Sequence, residues 1–125
     1  MSYIFKAAEV EASSEFISDR KVHTAIPATG ESCQLLWAKY EPGGTYRLHS
    51  HPHEQMSVML AGRMRLTVGD EVREIGSGDM WYAPANVQHG GEILGDQPVV
   101  FIDVYAPPAE WFEQWIEDER KTNRP

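Results

Sequence analysis

Between residues 32 and 106 apolar and polar positions alternate in short runs, and nearly every run is closed by glycine or proline. The run CQLLWAKY, stopped by Pro42-Gly43-Gly44, predicts a strand. Thr45 to His51 predicts the next; Pro52 interrupts it, and extended structure resumes from Gln55 to Leu60 before Gly62. Met64, Leu66 and Val68 alternate with Arg63, Arg65 and Thr67, which puts the two sets on opposite faces of a strand. Gly69-Asp70, between that run and Val72 to Ile75, is a two-residue hairpin signal. MWYAP, His89 to Leu94 and Val99 to Tyr105 complete the series. Short strands separated by regular turns predict an all-β sandwich or barrel rather than a parallel βαβ sheet. After Pro107-Pro108 the period changes: Trp111, Phe112, Trp115 and Ile116 recur at helical spacing with Glu113, Glu117 and Glu119 between them. This predicts a C-terminal amphipathic helix over about residues 109–120, its aromatic stripe packed on the barrel or on a partner subunit. Residues 1–30 are less regular and read as an arm with a short helical turn and an edge strand from Arg20 to Ile26.

At 125 residues the chain is sized for one domain, with the barrel over about residues 31–106. Eleven Lys and Arg against nineteen Asp and Glu give a formal charge of -8 and a pI near 5.0, which opposes binding to nucleic acid or to anionic lipid. No apolar run approaches the length needed to span a bilayer, and the opening MSYIFKAAEV lacks a signal-peptide core. The lone Cys33 cannot form an internal disulfide, so a cytoplasmic location is expected.

Chemistry concentrates in GGTYRLHSHPHEQMSVMLAG, residues 43–62. His49 and His51 share a face of an extended strand and could share a metal ion; Gln55 adds a neutral oxygen, and His89 a third nitrogen. Three imidazoles and an amide oxygen can surround one divalent transition metal (Zn, Ni, Mn or Fe) and still leave positions open for water or substrate. The bland alternative is hydrogen bonding within the barrel. His53 has the parity of His51 but follows Pro52 and reads as a rim residue; His23 and Glu54 read as solvated surface. Met56, Met59, Met64 and Trp81 read as core or pocket lining.

Two segments carry a resemblance. Gly43, five residues, His49, Ser50, His51, three residues, Gln55, six residues and Gly62 resembles the first signature of the cupins. Gly78, five residues, Pro84, Ala85, Asn86, two residues and His89 resembles the second. The resemblance implies a cupin jelly-roll β-barrel with the metal held at His49, His51, Gln55 and His89. It also implies a homodimer, since small cupins often pair through sheet edges. Three positions depart from the usual pattern, with Gln55 in place of glutamate, Asn86 in place of glycine and Ile93 in place of asparagine. With an amide for a carboxylate, no anion near the ion offsets its charge, which favours an anionic substrate. Asn86 can still adopt the positive φ of the turn.

HSHPHEQ, PANVQHG and FIDVYAPP resemble more narrowly the pectin-degradation cupins of the KdgF type, which open 4,5-unsaturated monouronates to linear keto sugars. That likeness implies catalytic roles for Asp103 and Tyr105, whereas the arginine it implies is replaced by Ala109. By strand parity Arg47 shares the face of His49 and could clamp a substrate carboxylate, or sit in a rim salt bridge. The function expected is a metal-dependent, isomerase-type ring opening of a small, oxygenated, anionic substrate. Dioxygenase, lyase and polyketide cyclase chemistry on the same scaffold, and ligand binding without turnover, are the alternatives.

Overall fold

The computed structural model describes residues 2–109; the helix expected over about 109–120 lies outside the described residues. A six-residue helix, α1 (Ala7–Ala12), precedes ten strands. These are β1 (Glu15–Ile17), β2 (Val22–Thr29), β3 (Gln34–Tyr40), β4 (Thr45–His49), β5 (Glu54–Ala61), β6 (Arg63–Val68), β7 (Glu71–Gly76), β8 (Met80–Ala83), β9 (His89–Leu94) and β10 (Val99–Ala106). All pairings are antiparallel, in a six-stranded sheet of order β1-β2-β3-β10-β5-β8 and a four-stranded sheet of order β4-β9-β6-β7. This is the jelly-roll arrangement of the cupin fold. No described helix is long and apolar enough to cross a membrane.

Residues 15–29 do more than the arm read from sequence. They form β1 and β2, which extend the larger sheet, and β1 rather than β2 lies at its edge. His23, expected to be plain surface, accordingly stacks on Phe16 at 4.6 Å and meets Glu41 at 3.1 Å.

The inner face of the larger sheet is set by alternation. Along β10 buried and half-buried residues alternate without a break, so Phe101, Asp103 and Tyr105 all point inward. Register brings Tyr105 opposite Gln55, Asp103 opposite Ser57 and Phe101 opposite Met59 on β5, with Leu36 and Ala38 flanking from β3. Phe101 anchors the core, its ring 5.8, 5.3 and 5.2 Å from those of Tyr40, Tyr46 and Trp81. Met59 and Met64 are fully buried, as core residues should be. Met56 is not: its neighbour in sequence faces inward, so period-two geometry turns Met56 to the outer face, where it is 57% exposed.

One irregularity positions the site. Tyr46 pairs with Gly91 and His49 with His89, so three steps along β4 match two along β9, and the extra residue is a bulge. Tyr46 and His49 therefore both face the interior, while Arg47 and Leu48 are exposed.

Candidate metal centre

His49 at the end of β4 and His89 at the start of β9 face each other across the smaller sheet. His51 lies in the loop after β4, and Gln55 on β5 of the larger sheet. The His89 ring lies 4.3 Å from that of His49 and 4.8 Å from that of His51, centroid to centroid. One nitrogen from each of the three lies within 4.8 Å of the others.

The hydrogen bonds fix which nitrogen that is. Nδ1 of His49 is 2.7 Å from the Arg47 carbonyl, Nδ1 of His51 is 2.9 Å from the His53 carbonyl and Nδ1 of His89 is 3.0 Å from the Val87 carbonyl. A carbonyl only accepts, so each Nδ1 donates and each neutral ring turns an Nε2 lone pair inward. Burial supports the neutral forms: it lowers His89 to about 4 and lowers His49 as well, against the bonds to the Val87 and Arg47 carbonyls.

Gln55 is oriented just as firmly. Its Nε2 donates to Ser57 Oγ at 3.0 Å and to the Tyr46 hydroxyl at 3.4 Å, which leaves Oε1 3.1 Å from His51 Nε2 and 3.0 Å from His89 Nε2. Ser57 in turn donates to Asp103 Oδ1 at 2.5 Å, so the amide cannot flip without leaving Ser57 Oγ short of a donor. Lone pairs of nitrogen and oxygen thus face one another with no proton available between them, an arrangement that a cation resolves. The donor set fits a divalent transition ion.

Beside it lies a cavity of about 410 Å³. Its wall is largely apolar, with Ile17, Val22, Leu36 and Phe101, and the polar groups Asp103, Tyr105, Tyr46 and Arg20 interrupt it. Asp103 is 2% exposed, and burial pushes its carboxyl up to about 7 although Ser57, Tyr105 and Gln55 all pull it down. The Tyr105 hydroxyl donates to Asp103 Oδ2 at 3.1 Å; burial, with Asp103 alongside, raises this phenol well above its usual value and keeps it protonated.

The structure brings together His49, His51, Gln55 and His89, with Asp103 and Tyr105 next to them. Arg47 it does not. The parity argument assumed a regular β4, and the bulge after Tyr46 turns Arg47 to solvent and puts Tyr46 in the wall instead. Met59, Met64 and Trp81 lie in the core rather than in the cavity wall, which Phe101 does join. His53 contributes its carbonyl, while its ring stands 6.4 Å from that of His51, and Glu54 is exposed. Asn86 adopts φ 67° and its N–H donates to the His51 carbonyl at 2.7 Å, so the second signature's turn supports the first. Ala109 is buried and its N–H donates to Gln34 Oε1. Sequence reasoning missed Ser57, Tyr46 and Arg20. Ser57 was within reach, being two residues from Gln55 on the same face; the other two had no local signal.

A family profile described as a cupin domain matches residues 36–105. Over 88 residues the chain is 30% identical to H2HPP isomerase of Bacillus subtilis, an alignment covering 63% of this chain and 37% of that protein. The chain thus spans little more than a third of that relative. Among solved structures, KdgF from Halomonas sp. superposes with a TM-score of 0.79 at 20% identity, covering 90% of this chain and 99% of that one. The polyketide cyclase RemF from Streptomyces resistomycificus superposes with a TM-score of 0.72 at 21% identity, covering 85% and 80%. At these identities the two structures speak for the fold alone.

Proposed function

The chain belongs to the cupin-domain family, and from that membership we propose a metal-dependent enzyme of the isomerase type that acts on a small, oxygenated, anionic molecule. In its sharpest form the reaction is the ring opening of a 4,5-unsaturated, uronate-like sugar. The observation that carries this reading is the convergence of four proton-free donor atoms beside a cavity that also holds Asp103 and Tyr105. A divalent ion bound there supplies Lewis acidity toward a substrate oxygen.

The chain's own residues handle position and protons. In the ring opening a proton leaves the anomeric hydroxyl, the bond from C1 to the ring oxygen breaks, and C4 gains a proton as the enol becomes a ketone. No electrons are gained or lost, so a group that can hold a proton near neutral pH suffices. Asp103, raised to about 7, is such a group, and Tyr105 holds one of its oxygens in place. The likeness to the Bacillus subtilis isomerase supports the reaction type, and the HSHPHEQ and FIDVYAPP segments support the substrate.

The test begins with elemental analysis of protein purified without added metal, followed by incubation with 4,5-unsaturated monogalacturonate. A bound transition ion and loss of the enol-ether ultraviolet absorbance are expected, with turnover abolished by a chelator. Protein that carries no ion, and gains no stability from manganese, nickel or zinc, overturns the metal reading. Metal-loaded protein that leaves the sugar intact overturns the uronate assignment.

A second reading rests on the apolar wall, since Ile17, Val22, Leu36 and Phe101 suit a polyketide better than a sugar. Turnover of an aromatic polyketide but not of the sugar favours it. Oxygen consumption would instead point to a dioxygenase, and a ligand that raises the melting temperature yet is recovered unchanged to a binding module.

A further inference from the structure

On β3 a tyrosine stands where packing alone calls for phenylalanine. Tyr40 closes the strand, and the alternation that turns Leu36 and Ala38 inward turns Tyr40 inward as well. It is 6% exposed, stacks on Phe101 at 5.8 Å with 23° between the ring planes, and lies 5.6 Å from the Tyr46 ring. These contacts use the ring alone. Among the described residues none hydrogen-bonds to its hydroxyl, and burial raises this phenol well above its ordinary value, so the proton stays on the oxygen.

A hydroxyl taken out of bulk water without a protein partner is a net cost, and phenylalanine would keep both ring contacts without it. The surroundings show where a partner can come from. Tyr40 lines the same cavity of about 410 Å³ as His49, His51 and Asp103, a volume within the range of small-molecule sites. Neighbouring polar groups on that wall are already engaged, since Asp103 accepts from Ser57 and Tyr105, and the Tyr46 hydroxyl accepts from Gln55. The Tyr40 hydroxyl can both donate and accept. A ligand hydroxyl answers both roles, whereas a carbonyl or carboxylate takes only the proton.

We propose that Tyr40 is a specificity-determining residue of this cavity, its hydroxyl paired with a hydroxyl group of the bound substrate. The assignment rests on the reading of the cavity as the substrate site, and it adds that the substrate carries a hydroxyl on the part that lies against β3.

Binding tests it without turnover. The metal-loaded chain is titrated calorimetrically with two series of probes: galactose against its monodeoxy analogues, and phenylacetate against its three ring-hydroxylated forms. In the wild type at least one hydroxyl should raise affinity by about fivefold, the range of a neutral hydrogen bond. Tyr40→Phe should abolish that gain, bind the probe lacking that hydroxyl as the wild type does, and keep its metal content. Coupling between the two deletions separates a direct hydrogen bond from altered packing. Without ligand, Tyr40→Phe should melt no lower than the wild type, because no bond within the protein is lost. A variant that melts clearly lower shows that the hydroxyl serves the fold and overturns the proposal. So does a wild type that gains nothing from any hydroxyl, or a gain that survives in Tyr40→Phe. A gain that depends on Tyr40 in a protein that leaves the unsaturated uronate intact overturns the ring-opening assignment and upholds the hydroxyl seat.

Discussion

At Gln55 one side chain serves two masters, since its oxygen faces the imidazoles and its N–H group faces Ser57, whose only proton goes to Asp103. Gln55→Glu keeps the shape but sets a second carboxylate oxygen on Ser57, and one hydroxyl proton cannot serve two anions. The variant should bind metal on the order of tenfold more tightly, through the added charge, yet turn over anionic substrates more slowly; equal activity on anions would refute the charge argument. Asp103 supplies a second measurable consequence. Burial lifts its pKa to about 7 in the fold, above the ordinary aspartate value of 3.8, so the folded state holds a proton that the unfolded chain releases between those values. Its contribution to stability is complete below pH 3.8 and is lost as pH rises through 7. Asp103→Asn has no such proton, so in metal-free protein its stability relative to wild type should rise by about 3 kcal/mol between pH 5 and pH 8. The lowered His89 is common to both proteins and cancels. Denaturant titrations at the two pH values check this, and a constant gap would mean that the carboxyl is ionised throughout. Side-chain spacing singles out His49, His51, His89 and Gln55, whereas Asp103 and Tyr105 enter only through the resemblance to the KdgF-type cupins. It could not find Arg20, which sits in a turn without periodicity and reaches the cavity only because β1 and β2 join the larger sheet.

Strand by strand, legibility followed regularity. β10 alternates along its whole length, and β6 and β7 flank a turn that glycine and aspartate announce, so their faces could be read directly from the sequence. β4 shows the limit of that reading. Its bulge is dictated by what lies beneath it, for Gly90 on β9 has no side chain and the backbone of β4 settles against it. A Cβ at Gly90 would stand 2.8 Å from both the Leu48 N and Cα atoms and 2.9 Å from the Tyr46 carbonyl oxygen, all of them backbone. None of this is visible in β4 itself, so the parity of a regular strand puts Arg47 on the inner face, while its exposure agrees with the rim alternative. Gly90→Ala should lift β4 at the bulge and move His49 away from His89, its partner across the sheet. A loss of about 2 kcal/mol of stability is expected, with metal affinity falling at least as steeply. Metal titration with melting curves would test it, and unchanged metal binding in a destabilised variant would show that the bulge and the site are independent. The N-terminal strands were hard to read for another reason: β1 has three residues, too few for a period, and its place at the sheet edge is decided by β2.

Across the whole molecule the donor set joins the two sheets. His49 and His89 belong to the four-stranded sheet, Gln55 to the six-stranded sheet, and His51 to the loop that passes from one to the other. An ion held by all four would tie the layers together at one end of the jelly roll, where an apolar cavity interrupts the packed core. Without the ion, the same four donors turn lone pairs on one another in a buried space, a repulsion that opening the layers relieves. Metal should therefore act on global stability and not only on turnover. At a hundredfold excess over Kd the linked stabilisation is about 2.7 kcal/mol, which for a domain of this size raises the melting temperature by roughly 10 °C. Gln55→Ala removes the one donor on the larger sheet and should cut most of that shift while leaving three imidazoles to hold the ion. Hydrogen exchange locates the effect, because amides of β4, β9 and the adjoining part of β5 should gain protection together on metal addition. If protection were confined to β4 and β9, the ion would be a fixture of the smaller sheet alone, and the part given to Gln55 in joining the layers would have to be withdrawn.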